Sequence, residues 1–224
     1  MELSIPQAGL VVRTGAERAT LVRRTYLLVL AGVILTMGGV AFTFSQPTLL
    51  ATVARHPFIT MICAFIPLFM AMRARASFPS NIGLSLLFTF TMGVAISPVI
   101  YLYSQTQPQL IPQAGLLTLS TFSVLTIYAW VSKRDFSAWG SFFVVGLWVL
   151  IGTSVLNMFF RNETASLWLA GGTVLIFSGL LIFDTWRLRN VYGPDDYVQA
   201  AVAIYLDLLN MFLAILRLLG GRRS

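Results

Sequence analysis

Two aspartates stand where a chain of this composition has little reason to keep them. Asp184 lies in Leu181-Ile-Phe-Asp184-Thr185 and Asp207 in Ala203-Ile-Tyr-Leu-Asp207-Leu-Leu-Asn210, each inside a long apolar run. A carboxylate in hydrocarbon is costly and is kept where it has a partner or a task. Read as helices crossing a membrane in opposite directions, the two runs place Asp184 about 7 Å and Asp207 about 13 Å from the same face, at 1.5 Å per residue. The connection between them is short, so the helices are expected to be neighbours. Two carboxylates brought together at low dielectric cannot both stay ionised, and they exchange protons as a unit. Arg73, at the end of an earlier apolar run, is the best-placed cation to complete a pH switch of Asp184, Asp207 and Arg73. Carboxylate oxygens also suit Ca²⁺, so Asp184 and Asp207 are candidate transient cation contacts.

Each residue also has a plainer reading. Asp184 can pair with Arg187 three residues on along one helix. Asp207 can be a buried structural hydrogen bonder, and Arg73 a topology charge reaching for the headgroups.

The element that carries Asp207 is patterned. Ala200, Ala203, Asp207, Asn210, Ala214 and Arg217 recur at spacings of three and four, which puts them on one helical face. The face is small or polar, whereas Leu, Ile, Phe and Met fill most of the remainder. Such a stripe suits a helix facing a wet cavity or a tight central interface, and Ala203 and Asn210 are candidate pore-lining residues.

Of the 224 residues, 57% are hydrophobic and 10% charged. A soluble domain carries about 25% charged residues, so the expected solvent is lipid. A span needs about 20 mostly apolar residues. Seven runs qualify, at about 25–45, 57–73, 82–103, 111–131, 138–160, 166–188 and 198–218. The fold class is therefore all-α: a polytopic membrane protein with seven transmembrane helices. Residues 1–24 read as a polar arm, 25–219 as the transmembrane domain and 220–224 as a short basic tail. The arm carries Arg13, Arg18, Arg23 and Arg24, and the first apolar run is long enough to stay as a span, unlike a cleavable signal. Gln46-Pro47, Gln105-Thr-Gln-Pro108 and Val191-Tyr-Gly-Pro194 mark connections. Gly38-Gly39, Gly140, Gly146, Gly152, Gly171-Gly172 and Gly179 allow close helix approach. Pro67 and Pro98 fall inside spans and can kink them. Asp195 and Asp196 read as cap and first-turn acids of the last helix. The Asn162-Glu-Thr164 sequon is left without a role.

Ten of the 15 basic residues fall on one side when the N-terminus is placed inside: Arg13, Arg18, Arg23, Arg24, Arg73, Arg75, Lys133, Arg134, Arg187 and Arg189. Arg55, Arg161, Arg217, Arg222 and Arg223 fall on the other. The bias favours a cytoplasmic N-terminus and an external C-terminus. A re-entrant last helix would instead return the C-terminus inside. The net charge of +7 follows this topological pattern rather than a nucleic-acid face. One cysteine, Cys63, and one histidine, His56, exclude a disulfide framework and a multi-histidine metal centre. No cofactor is expected; membrane lipids, protons and calcium are the expected partners.

Three stretches resemble the bacterial branch of the Bax inhibitor-1 (transmembrane Bax inhibitor motif) family. They are Ser132-Lys-Arg-Asp-Phe-Ser137, Phe183-Asp184-Thr185, and Ala203-Ile-Tyr-Leu-Asp207-Leu-Leu-Asn210-Met-Phe212 with Leu216-Arg217-Leu-Leu219. The resemblance implies seven helices with the seventh central and wrapped by the others. It implies a pH-sensitive calcium leak across the membrane, with calcium the permeant ion and not a cofactor, and a location in the bacterial inner membrane. It carries the family's aspartate pair onto Asp184 and Asp207 and its arginine onto Arg73, with Arg75 competing for that place. Related bacterial members can carry an acid within helix two; span two here has none.

Two other functions use the same residues. Paired aspartates on consecutive spans describe an intramembrane aspartyl protease, but Ile204-Tyr-Leu206 stands where the presenilin type has Gly-x-Gly, and no Pro-Ala-Leu follows. A regulatory protein that binds a membrane protein, such as a membrane protease, is the runner-up to the leak, with arm 1–24 as its contact.

Overall fold

Backbone polar groups in hydrocarbon must be satisfied within their own segment, and the helix is the local solution. The computed structural model describes residues 15–73, 80–160 and 162–221, and these form eight helices without a strand. They are α1 Gly15–Phe44, α2 Pro47–Arg55, α3 Pro57–Arg73, α4 Ser80–Thr106, α5 Leu110–Val131, α6 Trp139–Phe160, α7 Glu163–Asn190 and α8 Tyr197–Gly221. Six of them, α1 and α4 to α8, are long and apolar enough to cross a membrane singly. The chain is an all-α, polytopic integral membrane protein.

The remaining apolar stretch is built differently. α3 coincides with the expected span 57–73, but Pro47–Arg55, read above as connection, is a helix of its own, bent by 103° from α3. Pro57 explains the break at His56. It has no N–H to continue a helix, and it drives the preceding residue out of the helical region.

α1 starts at Gly15, so the last ten residues of the expected polar arm are helical rather than free. Leu21, Thr25, Val29, Gly32, Thr36, Gly39 and Thr43 continue one buried face at helical spacing. The apolar run undercounts this helix because its first turns bury a narrow stripe and leave arginines outside. Arg13, Arg75, Arg161, Arg222 and Arg223 lie outside the described residues.

α8 occupies the middle. Half of its most apolar window is buried, against 39% for α4, the next most buried span, and 6% for α6. α1, α4, α5 and α7 pack around it, while α3 packs mainly on α4, and α6 on α7. The expected wrapping by all other helices is thus incomplete. Trp148, Phe159 and Phe160 on α6 face outward, because lipid solvates such side chains as well as protein does.

α1 and α4 approach most closely where side chains are missing. A Cβ on Gly93 would strike the Thr36 carbonyl, and one on Gly39 the Phe90 carbonyl. That proximity serves a hydroxyl network. Thr36 Oγ1 lies 2.7 Å from Tyr205 Oη on α8, and 2.9 and 3.0 Å from the carbonyls of Gly32 and Thr89. Tyr205 can donate to Thr36, which then donates to either carbonyl. The Phe88 ring meets Tyr205 edge-on at 5.9 Å.

Gly93→Ala is expected to cost about 1–3 kcal/mol, the usual penalty of overpacking, seen as a lower unfolding temperature in detergent. Gly38→Ala, which meets nothing within 4 Å, should leave that temperature unchanged.

Candidate functional site

α7 and α8 are joined by a turn that orders itself. The Val191 and Tyr192 N–H groups close α7 on the Arg187 carbonyl at 2.8 and 2.9 Å. Asp196 occupies the residue before α8, as expected of a cap, but its Oδ2 accepts from the Gly193 N–H at 2.8 Å. It therefore pins the turn instead of capping the helix behind it. Asp195 is exposed at the same turn.

This hairpin of helices brings the two aspartates together. Asp184 is 7% and Asp207 3% exposed, and their carboxyl groups are close enough to interact electrostatically. The Arg187 Nη1 donates to Asp184 Oδ1 at 3.1 Å. Its guanidinium also lies over the Tyr192 ring, 4.6 Å from the centroid, and over Phe183 at 5.6 Å. Asp207 Oδ2 is buried without a hydrogen-bond partner among the described residues. The cluster is thus two carboxyl groups and one guanidinium, with the deeper acid holding no cation of its own among the described residues.

Arg73 is not the cation at the pair. It ends α3 on the face of Ile66, Phe69 and Met70, which is exposed, whereas Ala64, Pro67, Leu68 and Ala71 form the buried face. A helix cannot turn both faces inward, and the apolar face that packs on α4 points Arg73 away. Arg75 lies outside the described residues.

The stripe on α8 divides. Ala200, Asp207 and Ala214 are buried and Arg217 is exposed. Ala203 borders a cleft of about 230 Å³ that Arg187 also lines. Asn210 is half-buried, and its Nδ2 donates to the Leu206 carbonyl at 2.8 Å, so it is bonded to its own helix.

Residues 18–224 match the sequence model of the family described as inhibitor of apoptosis-promoting Bax1. The chain belongs to the Bax inhibitor-1 family. Protein lifeguard 4 of Mus musculus is 33% identical over 205 residues, covering 90% of this chain and 85% of that protein. Bax inhibitor 1 of Schizosaccharomyces pombe is 31% identical, covering 91% and 77%. An uncharacterized membrane protein of Vibrio cholerae is 33% identical, covering 72% and 73%.

In this Bax inhibitor-1 family member, further polar residues fix helix ends and a loop. Arg189 Nη1 reaches the carbonyls of Ala129, Trp130 and Ser132 at 3.1, 2.7 and 2.9 Å, so it caps the end of α5 from α7. In the Ser132–Ser137 loop Asp135 Oδ1 accepts from the Ser137 N–H at 2.8 Å, and Phe136 is buried. Above, Arg189 entered only as a topology charge. A cation in the last turn of a helix is a signal for carbonyl capping, though it does not say whose carbonyls. Asn162 has a role after all: its Oδ1 accepts from the Ala165 N–H at 3.0 Å and caps α7.

Arg187→Gln is expected to destabilise the protein by on the order of 2 kcal/mol, the scale of a hydrogen bond to a charged group. Because the loss comes largely from stranding Asp184, the double variant Arg187→Gln/Asp184→Asn should recover much of it. A double-mutant cycle on unfolding midpoints in detergent measures this, and strict additivity would refute it.

Proposed function

We propose that the chain is a pH-sensitive cation leak path, with calcium as the permeant ion and the Asp184–Asp207 pair as its gate. One observation carries the reading: two neighbouring buried carboxyl groups stand beside a single guanidinium, which bonds Asp184 and leaves Asp207 without a cation among the described residues. With both acids ionised the cluster holds one unbalanced negative charge. A proton on the pair neutralises it and lets one carboxyl donate to the other. Loss of that proton leaves like charges in a place where repulsion is weakly screened. The occupancy of the pair by protons therefore acts directly on the packing of α7 against α8. A cation can take the proton's place, since carboxylate oxygens are the ligands calcium prefers.

The cleft beside Ala203 and Arg187 supports an approach from the end of the bundle that holds the α7–α8 turn. Asp207, at 3% exposure, fits a closed gate. The charge bias and the Vibrio cholerae relative support a bacterial inner membrane location with the N-terminus on the cytoplasmic side.

The family description favours a second reading, action on a protein partner. α1 takes up the proposed contact from Gly15 onward, and residues 1–14 of it lie outside the described residues.

Purified protein in liposomes loaded with a calcium-sensitive dye separates the two. Calcium entry should vary between about pH 5 and 8, the range open to a coupled buried pair. Asp207→Asn should flatten that profile. No entry above empty liposomes at any pH would sink the leak. Intact flux after deletion of residues 1–14, with loss of a co-purifying protein, would support the partner reading in addition.

A further inference from the structure

The cleft beside the α7–α8 turn is more elaborate than a path for protons requires. Its walls are apolar, formed by Leu68 and Met72 of α3 and Val202 and Leu206 of α8. Charges of both signs border it: Arg187 on one hand, Asp195 and Asp196 on the other. Asn81, at the start of α4, also lines it. The residue is 6% exposed, and its Oδ1 has no hydrogen-bond partner among the described residues.

We propose that this cleft binds a phospholipid whose headgroup carries both a phosphate and a primary ammonium, that is, an ethanolamine phospholipid. The position fits, because a turn joining two membrane spans lies at a bilayer surface, where headgroups are. The apolar walls take the upper part of an acyl chain. A guanidinium has five N–H donors, and one bond, to Asp184, accounts for its contact with the pair. Its remaining donors match phosphate oxygens. No described arginine or lysine pairs with Asp195 or Asp196, and one Asp196 oxygen is engaged by the turn. These carboxylates match the ammonium. The buried Asn81 oxygen decides between headgroups: it needs an N–H donor, which a primary ammonium has and a trimethylammonium lacks. A metal ion would satisfy the acids and the amide but would leave the apolar walls and Arg187 unexplained.

The inference stands apart from the leak, although both involve Arg187; it concerns binding and is read without flux. Native mass spectrometry of the full-length protein in detergent, mixed with equimolar dioleoyl lipids, tests it. The ethanolamine lipid should be retained roughly tenfold over the choline lipid, the ratio one charge-assisted hydrogen bond supplies. It should also exceed the glycerol lipid, whose headgroup lacks the ammonium. Asn81→Ala and Asp195→Asn should each bring retention down to the choline level, while Glu163→Gln, at the far end of α7, should leave it unchanged. Octylamine, which offers the ammonium without the phosphate, should compete weakly. Equal retention of ethanolamine and choline lipids, preference for the glycerol lipid, or octylamine displacing the lipid at equal concentration would each overturn the proposal. If Asn81→Ala does not fold, Asp195→Asn and the wild-type lipid series still decide.

Discussion

A carboxyl group well inside a membrane span has to be surrounded by protein, because lipid offers it no hydrogen bond and no counter-charge. Asp207 imposes that condition on α8, and much of the architecture is its consequence. The helix that bears it is the most buried of the spans, and α1, α4, α5 and α7 stand around it. Close packing on several sides needs small residues, which Ala200 and Ala214 supply on α8. It also lets α8 anchor itself elsewhere: Tyr205, two residues from Asp207, reaches the hydroxyl of Thr36 on α1.

Around this axis the polar contacts fall into two kinds. Some only hold the frame. Arg189 ties the end of α5 to α7 through backbone carbonyls, Asp196 closes the α7–α8 turn, and Thr36 joins α1, α4 and α8. Each such bond is worth about 0.5–3 kcal/mol, the charged ones at the upper end. The cluster of Asp184, Asp207 and Arg187 is different. It sets two acids against one described cation, and it joins α7 and α8 within the frame that the other bonds keep. The proposed switch needs that division, since a titrating group on a loose scaffold would change local order instead of one contact.

The cluster and the cleft share Arg187, whose Nη1 lies on Asp184 while the side chain borders the opening beside the turn. Whatever occupies the cleft therefore meets the same guanidinium that partners the buried pair. Aromatic faces at Tyr192 and Phe183 flank that guanidinium, so its bond to Asp184 and its place at the cleft belong to one conformation.

Composition and hydropathy determined the solvent, the helical class and six of the spans, because lipid permits few other solutions for an apolar chain. The costly positions of Asp184 and Asp207 marked them as a pair, and the shortness of the 191–196 connection made them neighbours. The stripe on the last span pointed to its burial. What tertiary structure decided was direction. Whether Arg73 or Arg187 meets the acids depends on which face of α3 packs on α4, and hydropathy does not report a face when both faces of a helix are apolar. The bend at His56 depends on where α2 finds contacts. The reach of Arg189 to α5 depends on two helix ends far apart in the chain arriving at the same level. A sequence records the residues that need a partner; only the packed bundle settles which partner each one reaches.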